Sequence, residues 1–203
     1  SLAGGLEIAG HDLEIRGAGE LLGGEQSGQI YEIGYGMYTS MLSKAIRQVK
    51  GDMENKEQHH IEIDAYESSL IPQDYIDDIF IRLQYYSEIA NLNDEYELGQ
   101  VITKLEDIYG PIPEFLENLI SLTKVRIFAK LINATKIKIN KDTTEISIAK
   151  DNSIDHNNLI NKFVLTKRVE LIKNERLKYK NIKDESFLNI CNDLIEFIKL
   201  ITI

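Results

Sequence analysis

Between residues 74 and 134 three apolar stripes recur at helical spacing, separated by breaks too short to be anything but turns. Pro72 opens the first, predicted over about 74–92, with Ile76, Ile79, Phe80, Leu83, Tyr86 and Ala90 on one stripe. Asn93 and Asp94 favour a fresh start, and Glu95 and Glu97 complement the positive end of the next helix dipole. That second helix would bury Leu98, Val101, Ile102, Leu105 and Ile108. It stops at Gly110-Pro111, a C-terminal glycine followed by a residue that cannot continue the helix. Pro113 starts the third, over about 113–134, on Phe115, Leu116, Leu119, Ile120, Val125, Phe128, Leu131 and Ile132. Connections this short restrict the three helices to antiparallel or angled neighbours.

Alternation replaces helical spacing on either side. Ile61, Ile63 and Ala65 alternate with Glu62, Asp64 and Tyr66, the period of a half-buried strand. Downstream, Ile137/Ile139 and Ile146/Ile148 flank the polar turn 140–144, a hairpin signature. A short helix near 156–164 leads to a second alternating pair, Val169/Leu171 and Leu177/Tyr179. The last stripe, over about 185–201, runs from Phe187 to Ile201 and takes in Cys191 as an inert core residue. The fold class is therefore α+β: a central cluster of amphipathic helices, a small mixed β-sheet and a closing C-terminal helix. A loop-helix arm precedes them, its helix near 37–50 carried by Met37, Met41, Leu42, Ala45, Ile46 and Val49. Polar, unpatterned residues 51–58 read as a linker, which divides the chain into 1–50 and 59–203.

Charge sorts the functional classes. The net charge is −10, but residues 51–135 hold 17 acidic against 6 basic groups, while 136–203 hold 10 against 13. A domain gripping nucleic acid by itself needs a basic stripe, because phosphate neutralisation supplies most non-specific affinity. The acidic middle fits either docking onto a basic protein partner or a plain solvated face. One cysteine excludes an intramolecular disulfide and suits a reducing cytoplasm. No apolar run approaches the roughly 18 residues a membrane span requires. Adjacent His59 and His60 point to opposite sides of a strand, so they read as surface residues and not as a metal pair.

The densest local signal lies upstream, in His11-Asp-Leu-Glu-Ile-Arg-Gly-Ala-Gly-Glu-Leu-Leu-Gly-Gly-Glu-Gln-Ser-Gly28. Five glycines in eighteen residues permit close approach of backbone to a ligand or left-handed turns. Arg16 supplies a planar fork of donors suited to phosphate oxygens. On residue chemistry alone the stretch is either an anion-contacting loop or a set of turns.

The pattern resembles the TRG translocation motif of the bacterial transcription-repair coupling factors, the Mfd family, of which RecG carries a related version. The resemblance continues through Ile33-Gly34-Tyr35, Tyr38 with Met41-Leu42, Leu70-Ile71-Pro72, Arg82-Leu83 with Tyr85-Tyr86, and Tyr109-Gly110-Pro111. It implies the C-terminal part of an ATP-driven double-stranded-DNA translocase that displaces stalled RNA polymerase and recruits the UvrA component of nucleotide excision repair. It further implies that Arg16 and Gln26, set by Gly17, Gly19 and Gly28, couple ATP hydrolysis to stepping on the duplex. ATP and magnesium belong to motor lobes outside this chain. Residues from about 58 onward resemble a regulatory clamp that masks the protein's own N-terminal UvrA-binding module. Lys104, Glu106 and Asp107, on the polar side of the second helix, are the candidate docking patch. Ile108 stands where the family tends to carry a basic residue.

The chain lacks the G-x-x-x-x-G-K-[ST] phosphate loop, a nucleophile elbow, and paired Cys/His spaced for zinc. On this reading it catalyses nothing alone. The reading from another class is a stand-alone interaction module whose glycine loop is purely structural.

Overall fold

The structure, a computed structural model, describes residues 34–50 and 60–203, with the side chains of 47–50 left aside. The elements in chain order are α1 (Tyr35–Lys50), β1 (Glu62–Ala65), α2 (Ile79–Ala90), α3 (Glu95–Tyr109), α4 (Glu114–Ala129), β2 (Ala134–Ile139) and β3 (Thr143–Ile148). A helical turn α5 (His156–Asn158), continued as a wider π-turn over Leu159–Val164, β4 (Val169–Ile172), β5 (Arg176–Lys180) and α6 (Phe187–Ile201) complete it. The class is α+β, as the sequence predicts.

One mixed sheet, ordered β1-β2-β3-β5-β4, forms a layer. β1 joins β2 in parallel, after a crossover that contains α2, α3 and α4, and the other pairings are antiparallel. The inner face aligns Ile63, Ile137, Ile146 and Leu177 across four strands, each at most 5% exposed, and the helices cover it. Tyr179 stacks on Phe197 of α6 at 4.3 Å, and Phe163 closes edge-on at 4.6 Å. On the outer face the register sets Asp64, Lys138, Glu145, Lys178 and Glu170 side by side, alternating in sign across all five strands. Opposite charges at neighbouring positions favour this register over a one-residue slip, which would also turn the isoleucines to water.

The helix caps follow their residues. Asp94 accepts from Glu97 N, and Ser186 accepts from Asn189 N. Gly110 ends α3 at φ 92°, a conformation open to glycine. The first predicted helix is shorter than expected. Pro72 folds residues 72–76 into a turn, with Tyr75 N and Ile76 N both donating to Pro72 O. Asp78 then caps α2 through Phe80 N. The shift changes which residues are buried: Phe80 is 56% exposed, while Arg82, Tyr85 and Ile89 are buried. The third helix tightens after Ala129 into a single 3-10 turn over Lys130–Ile132, and Asn133 adopts φ 54°.

α1 packs on β1 and α2. Tyr35 and Tyr38 are buried against the ring of Tyr86, with centroids 6.3 and 5.5 Å apart. Thr39 lies beside the outer edge of β1, where its hydroxyl donates to Ile63 O at 3.3 Å and accepts from Ile63 N at 3.4 Å. Gly36 lies against the Asp64 side chain, which a Cβ there would push aside. The expected linker over 51–58 lies outside the described residues.

Candidate docking surface

α3 presents the candidate patch. Its buried side, Leu98, Val101 and Leu105, is fixed by the helical repeat, which turns Lys104 and Asp107 outward on one face. They line a shallow depression of about 820 Å³ together with Tyr96, Gly99, Thr103 and Ile108. Lys104 Nζ lies 3.7 Å from Glu88 Oε2 of α2 and 5.3 Å from the centre of the Tyr85 ring. Exposed pairs of this kind contribute little to stability, on the order of 1 kcal/mol or less, which leaves the lysine free to exchange partners. Glu106 does not line the depression. Its charge acts on the Tyr75 hydroxyl, whose pKa is raised first by burial and then by Glu106. That hydroxyl donates to the Leu105 and Gly110 carbonyls at 3.1 and 2.8 Å, closing the end of α3. The structure thus brings Lys104 and Asp107 together and turns Glu106 toward a different neighbour.

Ile108 corrects the sequence expectation. It is 58% exposed instead of buried, because Tyr109, packed on Tyr75 and Tyr85, takes the inward position at the helix end. Phe115 and Leu131 are likewise exposed, at 43% and 52%. With Tyr96 at 75%, the exposed face of α3 carries two large apolar side chains among its charges. A helical stripe predicts where apolar residues gather but not which of its flanks a neighbour reaches. Arg16, Gln26, Gly17, Gly19 and Gly28 lie outside the described residues.

His60 is the second correction. It does not read as surface: its Nε2 is buried with no hydrogen-bond partner. Burial first, and then the charges of Arg126 and Lys130, lower its pKa from 6.5 to about 4. The unfolded chain therefore binds a proton that the folded chain refuses between those values. The proton-linked cost of His60 is absent above pH 6.5, and stability is lost as pH falls from 6.5 toward 4. In urea titrations at pH 7 and pH 4.5, His60→Gln should shrink the acid-induced drop in midpoint; an unchanged drop would sink this assignment. Among the described residues no group of three or more His, Cys, Asp or Glu side chains is placed to hold a metal ion. Cys191 is fully buried, and burial raises its pKa to about 12, as suits an inert core thiol. No helix among the described residues is long and apolar enough to cross a membrane.

Residues 66–159 match the TRCF domain. The chain is 37% identical over 167 residues to the transcription-repair-coupling factor of Buchnera aphidicola from Acyrthosiphon pisum, covering 80% of this chain and 21% of that protein. It is 38% identical over 141 residues to the Haemophilus influenzae factor, covering 68% and 12%, and 33% identical over 208 residues to that of Borreliella burgdorferi, covering 99% and 18%. The chain thus spans about a fifth or less of the length of these relatives. The crystal structure of the C-terminal domain of a transcription-repair coupling factor superposes with a TM-score of 0.50 at 14% identity, over 69% of this chain and 94% of that domain. The chain belongs to the transcription-repair-coupling factor family, and its described residues have the fold of that family's C-terminal domain.

Proposed function

We propose that the chain is the C-terminal part of an ATP-driven double-stranded-DNA translocase that displaces stalled RNA polymerase and recruits nucleotide excision repair in the bacterial cytoplasm. Residues 11–28 couple ATP hydrolysis to movement on DNA. Arg16 holds the loop to the motor or to phosphate oxygens, and Gln26 meets the duplex. ATP and magnesium bind in motor lobes outside this chain. Residues 59–203 act as a clamp that masks the N-terminal UvrA-binding module until it is released.

The observation that supports the clamp is the exposed face of α3. Tyr96 and Ile108 stand in solvent there beside Lys104 and Asp107, on a helix whose other side is buried. Large apolar side chains ringed by charge characterise surfaces that a partner covers part of the time. Clamping of this kind requires docked and undocked states with different partner affinities, typically separated by about 1–3 kcal/mol, or roughly 5–150-fold. Two arms on the full-length protein test it. Deleting residues 58–203 should raise both the basal ATPase and the affinity for UvrA, and Asp107→Lys with Tyr96→Ala should reproduce part of each rise. If neither quantity moves in either variant, the clamp reading fails.

A further inference from the structure

The two edges of the sheet are treated differently. On the β1 side, Thr39 of α1 occupies the outward N–H and C=O of Ile63. On the β4 side, no strand of the described residues follows. Lys180 N donates to Arg168 O at 2.8 Å, which makes Glu170–Lys178 and Ile172–Arg176 the hydrogen-bonded pairs of this ladder. Val169 and Leu171 therefore turn their own N–H and C=O groups away from β5.

Lysines and short length commonly guard such an edge against unwanted pairing. Here the lysines surround an apolar floor. A cavity of about 640 Å³ lies along the edge, floored by Val164, Val169 and Leu171 and bordered by Lys167, Lys178 and Lys180, with Glu170 the one carboxylate in its wall. Leu171 is 55% exposed, although its register partner Leu177 is only 5% exposed. Leu165 nearby is 69% exposed. A guard would not leave these side chains bare.

We propose that the free edge of β4 is a docking site for an extended acidic and apolar segment of a partner protein, added to the sheet as a sixth strand. The segment's backbone pairs with Val169 and Leu171, every second side chain rests on Leu171 and Val164, and its carboxylates meet the lysines. Strand addition of this kind takes affinity from main-chain hydrogen bonds and specificity from alternate side-chain pockets. Charge selects the partner's chemistry. Three lysines against one glutamate leave the cavity wall positive on a chain whose net charge is −10, so an acidic segment is attracted here and repelled elsewhere. The apolar floor and unpaired backbone favour a peptide over a nucleic acid. The site shares no residue with the α3 patch on which the clamp reading rests.

The test titrates isotope-labelled 203-residue chain with a capped hexapeptide of alternating Val and Glu, and in parallel with the Val/Lys hexapeptide and a short DNA duplex. Binding of the Val/Glu peptide should move and protect the amides of Val169 and Leu171, and the Val/Lys peptide should not. Lys178→Glu with Lys180→Glu should weaken binding about tenfold or more. Leu171→Pro removes an outward N–H without breaking the ladder to β5, so it should abolish binding; should that variant fail to fold, the charge reversal still decides. Equal binding of both peptides, shifts away from β4, displacement by the duplex, or edge-to-edge self-association without peptide would each overturn the proposal.

Discussion

A Tyr86→Ala chain should lose about 3–5 kcal/mol of stability, the range found for emptying a buried aromatic site, and α1 should be the element that shows it. Tyr86 is 1% exposed, and its ring is the shared surface on which Tyr35 and Tyr38 stack. Its hydroxyl also accepts the backbone N–H of Ile71 at 2.8 Å. Alanine would remove the ring that anchors α1 and leave that N–H buried without this acceptor. Tyr86→Phe separates the two effects. It keeps the stacking and loses the acceptor, and should cost about 1–3 kcal/mol. Equilibrium urea unfolding gives the totals. Native-state hydrogen exchange gives the location, since α1 amides should lose protection in Tyr86→Ala and keep most of it in Tyr86→Phe. If α1 stays fully protected without the ring, Thr39 and Leu42 hold it alone and this account of the aromatic cluster is wrong.

That cluster also marks the limit of what the sequence made legible. Elements whose identity depends on local residues were readable: the alternation of Ile61 and Ile63, the hairpin around 140–144, the Gly110-Pro111 stop, and the apolar stripe that closes the chain. The fold class follows from their order. What failed depended on side-chain contacts that the residue pattern does not display, whether near or far along the chain. Pro72 signalled a helix start and produced a turn, because the guanidinium of Arg82 reaches back to the Ile76 and Asp77 carbonyls at 2.6 and 2.9 Å and holds that turn closed. An arginine on an apolar helix gives no sign that it will be 1% exposed. Ile108 and Leu171 sit on well-formed apolar stripes yet lie bare, because a stripe does not show which of its members a neighbour covers. For the docking patch the spacing put Lys104, Glu106 and Asp107 on the exposed side of α3, and of these Lys104 and Asp107 line the same depression. His60 read as surface because the charges that border it lie more than sixty residues away.

Arg126→Met should cost about 1–3 kcal/mol and change how the chain responds to acid. Arg126 is 5% exposed, and its Nη2 donates to the carbonyls of Ile89 and Leu92, both at 2.9 Å. These groups close the C-terminal end of α2, where helix carbonyls have no partner within the helix. One side chain of α4 thus serves two acceptors at the end of another helix. The Ile89 carbonyl keeps the Leu92 N–H at 3.3 Å without it, so methionine would cost chiefly the Leu92 carbonyl its donor, at about 1–3 kcal/mol. The substitution also removes a positive charge that helps to hold the His60 pKa down, second in size after burial. The pKa should therefore climb from about 4 back toward 6.5 without reaching it, because burial and Lys130 remain. A folded pKa nearer the unfolded one narrows the proton-uptake window, so the variant, though weaker at pH 7, should lose less of its remaining stability on going to pH 4.5. Stability loss at neutral pH with a flatter acid limb distinguishes this from simple damage to packing, which lowers the whole curve in parallel. Two measurements decide it: urea midpoints across that pH range, and the imidazole titration of His60 followed by NMR. An unmoved His60 titration in a folded Arg126→Met chain would separate the two residues and leave the arginine with a purely structural role at the end of α2.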